Sequence, residues 1–264
     1  MSEALDAVME RASRALVEMD YLESEAGCLE GLRLARAERD WVAYTRVLMP
    51  LQECRRQRRM IAAEAGVQLG TAGGLSDEES LGHGCIAVTR PLSAEDARRL
   101  AERAGAARQH VEVLWCDNAA VAAEDGGPAV WRVVTYDGSG LEAEVPAPRH
   151  LPLNVRLQMA GPVGFRNETS DGGSSKAGAG PADPALPQAV TGAGHWFVAA
   201  SEALGDAALA TVTAELGSLE RVEQLERMVA AVGDHEKLHQ RLNEAVRALV
   251  PGLPARTGSG VGVG

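Results

Sequence analysis

The stretch His235-Glu236-x-x-His239 has the spacing by which one helix face presents two imidazoles to zinc beside a general-base carboxylate. Its neighbours argue against that chemistry. Lys237 lies between the two histidines and Arg241 two residues beyond the second, so cations stand where a metal site needs neutral groups. Asp234 is placed to cap the helix, which puts His235 in the first turn rather than mid-helix. A catalytic zinc takes three protein ligands plus water, and a structural one takes four. No third ligand is apparent, the nearest downstream acid being Glu244. The segment reads instead as an amphipathic helix. Asp234 and Glu236 suit the positive end of its dipole, and His239 belongs at the core edge beside Leu242 and Val246. No metal is expected.

The remaining reactive residue types make no stronger pattern. His83, His110, His150 and His195 are scattered, and His195 beside Trp196 and Phe197 reads as a helix-start residue. No G-x-S-x-G nucleophile elbow occurs. Cys28, Cys54, Cys85 and Cys116 form no C-x-x-C pair, as ordinary reduced thiols in a cytoplasmic protein would not. The glycine-rich "GTAGG" lacks the Lys-Ser/Thr ending of a phosphate loop. Neither catalytic residues nor a cofactor are expected. Arg55 to Arg59, "RRQRR", suggests a nucleic-acid patch, but a net charge of -11 and a pI of about 5.1 argue otherwise. The run reads as a solvated helix face paired to nearby acids. The same charge disfavours an anionic membrane surface. The N-terminus lacks a signal peptide's basic and apolar regions, and no apolar run approaches the ~20 residues that span a bilayer. Lysine occurs only at Lys176 and Lys237, a composition typical of high-GC bacterial coding.

The elements behind these residues are mainly helical. Hydrophobic residues make up 45% and aromatics only 3%, so the core must be built from Leu, Val and Ala, which favours helix. Apolar residues recur at helical spacing from residue 3 to 19 and again from about Tyr21 to Ala37. Asp40 caps a third helix opening at Trp41, which Pro50 should kink or split. The period then changes. "CIAVT" at 85–89 and "HVEVLWC" at 110–116 read as parallel strands. Between them lies a helix with Ser93 as N-cap and Asp96 three residues on, a near capping box. "AVWRVVTYDGSGLEAEV" adds two strands turning at Asp137-Gly138 or Ser139-Gly140. Helical stripes return with Trp196, Phe197, Ala200, Ala203 and Leu204, then Leu209, Val212 and Leu216. Two more follow, from Leu219 to Val232 and from Leu238 to Leu249.

The chain thus divides into an N-terminal helical region at 1–65, a linker at 66–84, a small α/β module at 85–167, a flexible linker at 168–189, C-terminal helical hairpins at 190–252 and a disordered tail at 253–264. The fold class is α+β, mainly α. Neither helical end alone makes a comfortable core, so the two are expected to pack on each other.

"GDHEKLHQRLNEAVRALVP", 233–251, resembles the second half of a tetratricopeptide repeat: a Gly233-Asp234 turn, a small packing position at Ala245 and a terminal Pro251. "EALGDAALATVTAEL", 202–216, is similar, with Gly205-Asp206 as its turn, and so is 21–41, with Arg39-Asp40 before the next helix. The resemblance implies helical hairpins offering a groove to a protein or peptide, hence a non-enzymatic interaction or scaffold protein. Trp41, Tyr44 and Trp196 are then the candidate rim residues. The alternative is an enzyme or small-ligand binder acting through the central α/β module. Its loops would be Thr89 to Ser93 and Cys116 to Pro128, where open sheets bind ligands.

Overall fold

The computed structural model describes residues 2–70, 82–121, 130–148 and 185–250. The chain opens with three helices, α1 (Glu3–Val17), α2 (Tyr21–Glu38) and α3 (Trp41–Ala65). Each begins at a side-chain cap, Ser2, Asp20 and Asp40, whose oxygen accepts from a backbone N–H of the first turn. The tight turns place Met19 and Arg39 in the left-handed region. Pro50 lies inside α3 without splitting it: the helix runs unbroken to Ala65. On α2, Gly27 lets the backbone of α1 approach at Ala12, whereas Gly31 makes room for the side chains of Met9 and Val47.

A five-stranded sheet follows, in the order β1 (Val67–Gly70), β2 (Gly84–Thr89), β3 (Val111–Val121), β4 (Val130–Val134), β5 (Glu142–Pro146). The first three strands are parallel and the last two antiparallel. Helix α4 (Ala94–Ala106) joins β2 to β3, and its Ser93–Asp96 capping box is complete. Ile86, Val88, Val111 and Val113 pack under α4. Cys85, Ala87, Leu114, Cys116, Trp131, Val133 and Val145 take the other face. Both faces of β2 are therefore buried, as expected of a central parallel strand.

Three helices complete the chain: α5 (Ala185–Ala210), α6 (Leu219–Ala231) and α7 (Glu236–Ala248). Helices α3 and α5 cover the sheet face opposite α4, α6 and α7 pack against those two, and one continuous core joins all three sequence regions. The two helical ends pack on each other. Arg36 pairs with Glu223 at 2.9 Å, Tyr44 donates to Glu226 at 2.8 Å, and Arg55 reaches the Gly233 carbonyl at 2.9 Å. None of the described helices is long and apolar enough to cross a membrane.

Several expectations are corrected. Residues 66–84 are not all linker, because Val67–Gly70 forms β1, which bonds β2 in parallel register. Helix α5 begins at Ala185, inside the segment expected as linker to 189. The sheet of the α/β module shares the core of the helices. Gly205-Asp206 makes no turn but lies within α5, whereas Gly233-Asp234 does separate α6 from α7. The expected stripe through Leu216 leaves the helix after Ala210, and Leu216 is exposed. Residues 71–81, the linker up to 184, His150 and the tail lie outside the described residues.

Candidate functional site

The two histidines of the H-E-x-x-H stretch are structural. His235, not Asp234, is the N-cap of α7, and its Nδ1 accepts from the Leu238 N–H at 3.4 Å. A neutral imidazole accepting at Nδ1 carries its proton on Nε2. That Nε2 lies 3.4 Å from both Glu202 and Asp206 of α5. His239 likewise turns its Nε2 to the Gly233 carbonyl at 3.0 Å, where only an N–H can bond. The two nitrogens that this motif would aim at zinc therefore both carry protons. Burial pulls the His239 pKa down to about 4, so the ring is neutral. Both rings are in the core rather than at its edge.

The arginine run is an interior ion network, not a solvated face. Only Arg56 follows that expectation, pairing with Glu53 at the surface. The Arg55 side chain is 10% exposed and bonds Glu25 at 2.8 Å and two carbonyls at the end of α6, Val229 and Gly233. Arg58 bonds the second oxygen of Glu25 and stands 3.8 Å from Glu112 of β3. Arg59 binds Asp234 at 2.6 Å and Glu202 at 2.8 Å. Burial works against ionisation of Glu25, but the guanidiniums of Arg55 and Arg58 outweigh it and hold the carboxyl below the usual range.

Beside this network lies a cavity of about 80 Å³, room for roughly six waters. It opens between the start of β3, the β4–β5 turn and α5. Its walls are apolar at Leu114, Phe197, Leu204 and Val232 and polar at Arg59, Glu112, Tyr136 and Asp234. Glu112 is the exceptional member. It shares a sheet face with Leu114 and Cys116, so strand alternation carries a carboxyl into the core. Its carboxyl has no hydrogen-bond partner among the described residues, and Arg58 is too distant to supply one. Some 30% of its side chain is open, facing the cavity. Burial raises its pKa above the ordinary carboxylate range, offset only in part by Arg58. Asp234 is raised for the same reason against the pull of Arg59. Burial and the neighbouring Glu112 push the Tyr136 phenol up to about 12. Ser201, on the α5 wall, donates to the Phe197 carbonyl at 3.0 Å.

The expected rim residues do not form a rim. Tyr44 is 2% exposed and is excluded as a partner contact, its hydroxyl spent on Glu226. Trp41 packs edge-on against Tyr44 under the Arg36 guanidinium. Trp196 lies on the opposite side of the core, edge-on to Trp131, with its Nε1 donating to the Pro146 carbonyl at 2.8 Å. Of the alternative loops, Thr89 to Ser93 and the described start of Cys116 to Pro128 are at the other end of β2 and β3 from the cavity. Part of the second is strand, since β3 continues to Val121, and 122–129 lies outside the described residues. Arg90 of the first loop pairs with Asp117 at 2.6 Å. No family model, curated protein or solved structure matches the chain.

Proposed function

We propose that the protein binds a small polar molecule in the cavity between β3, the β4–β5 turn and α5. The carrying observation is Glu112: an inward carboxyl without a hydrogen bond among the described residues, its pKa raised by burial, facing a space with apolar walls and few convergent polar groups. A buried polar group left unsatisfied is costly in a structure that gains nothing from it. Binding is favoured over catalysis because Ser201, the hydroxyl on the α5 wall, spends its proton within its own helix. The test is two-dimensional amide NMR of the full chain against a set of small amines, alcohols, amides and carboxylates. Saturable shifts confined to the lining residues support the reading. Shifts scattered over the surface, or none, overturn it.

A second reading keeps the tetratricopeptide-like interaction role but moves its surface. Val42, Met49 and Met60 fall on one face of α3 and are all exposed. A protein partner lying along that face is tested by a photo-crosslinker at position 49, with Met60→Glu expected to abolish the adduct. An unchanged adduct in that variant overturns it.

A further inference from the structure

We infer that the cavity takes a small alkylammonium ion, its charge against the Glu112 carboxyl and its alkyl part on Phe197, Leu204 and Val232. This rests on the small-molecule reading above and names its ligand class.

The argument is one of charge and of unused hydrogen-bonding capacity. Three guanidiniums, Arg55, Arg58 and Arg59, meet four carboxyls, Glu25, Glu112, Glu202 and Asp234. With every carboxyl ionised, the part-exposed Glu202 included, the cluster holds one negative charge in excess, and Glu112 is the member without a hydrogen bond among the described residues. Protonating Glu112 resolves the excess. A monocation resolves it equally well and supplies the missing bond. An anion would add a second uncompensated charge in a site partly closed to water, where charges interact far more strongly than in solution. The spare capacity agrees. The Glu112 oxygens, the Tyr136 hydroxyl and the Ser201 oxygen can all accept, and an ammonium carries three donors. Phe197 and Tyr136 also line the cavity, and aromatic rings attract cations. The walls at Leu204 and Val232 suit a short hydrocarbon stem.

The exchange balances. The alkylammonium enters as RNH3+, Glu112 passes from COOH to COO–, and one proton leaves to solvent. The charged and titratable groups that face Glu112 are Glu25 of α2, Arg58 and Arg59 of α3, Asp234 before α7, Tyr136 of the β4–β5 turn and Cys85 opposite it on β2. Of these, Arg58 and Arg59 favour the ionised carboxyl, whereas Glu25 and Asp234 oppose it.

The experiment titrates the full chain with ethylammonium chloride, ethanol and sodium acetate, read by amide NMR and by calorimetry in two buffers of different ionisation enthalpy. Ethylammonium should shift the amides around Glu112, Tyr136 and Ser201 saturably, at least tenfold more tightly than ethanol or acetate. Its affinity should rise by up to tenfold per pH unit below the Glu112 titration, with up to one proton released. Glu112→Gln should weaken it at least tenfold and remove that pH dependence. Leu204→Phe, which fills the cavity and leaves Glu112 in place, should also abolish binding, so the test does not hang on one variant's folding. Acetate or ethanol binding there as tightly as ethylammonium would overturn the cation and leave the small-molecule reading standing. Failure of all three probes would overturn both. Undiminished binding in either variant would overturn the assignment to Glu112 or to this cavity.

Discussion

Substituting Gly205 by alanine should destabilise the protein, although helix propensity favours the change. Gly205 is in the interior of α5, where alanine is better by about 1 kcal/mol. A Cβ there, however, would stand 2.7 Å from the His235 Cβ and closer still to Cγ and Cδ2 of its ring. Carbon atoms pack at about 3.5–4.0 Å. Because the His235 Cβ is itself too close, rotating the ring away does not relieve the clash. The N-cap of α7 must move. That movement costs about 1–3 kcal/mol of overpacking strain, and losing the His235–Leu238 cap adds about 0.5–2 kcal/mol. After subtracting the propensity gain, the net loss is about 0.5–4 kcal/mol. Urea unfolding followed by circular dichroism reads it as a lower midpoint at unchanged slope. The cause is isolated by a double-mutant cycle. With His235→Gly the ring and its Cβ are both gone, and the methyl group added by Gly205→Ala fills space instead of clashing. The double variant should therefore be more stable than the sum of the two single losses by at least about 1 kcal/mol. Gly205→Ala as stable as the parent, or an additive cycle, would refute the claim that this glycine exists to admit His235.

Gly27→Ala should cost about 1–3 kcal/mol by the same melt, because its Cβ would meet Ala12 Cβ at 2.8 Å and Ala12 Cα at 3.3 Å across α1. Gly31→Ala should be nearly neutral, since what it meets at 2.8 Å is the mobile tip of Met9. Arg55→Leu should cost about 1–3 kcal/mol in the same melt by leaving Glu25 to Arg58 alone and taking a donor from the Gly233 carbonyl. Stability should fall as pH drops from 6.5 through about 4, because unfolded chains protonate His239 and the native state does not. Across that window the loss amounts to about 3 kcal/mol. His239→Gln should flatten this part of the pH–stability profile.

What could be read in advance was what depends on near neighbours. Asp40 and Ser93 cap the helices they precede because a cap needs only the next three residues. The break in helical period located β2 and β3 because both are short apolar strands buried between α4 on one face and the main core on the other. Strand β1 escaped notice because four residues in glycine-rich text show no period, and its register comes from β2 alone. Distance along the chain explains the larger misreadings. A Gly-Asp pair ordinarily marks a turn, yet Gly205 serves a ring that arrives from His235. A run of arginines ordinarily faces water, yet the partners of Arg55 lie 30 and 178 residues away. Glu112 was different, because its signal was present. In "HVEVLWC" it stands in phase with Leu114 and Cys116, an acid on the face that strand alternation assigns to the core. Hydrophobic patterning counts such a residue as a minor interruption. Physical chemistry counts it as a charge that folding must neutralise, bond or use. No hydrogen bond reaches it within the described chain, Arg58 stands 3.8 Å away, burial raises its pKa, and the cavity beside it supplies the room for an occupant.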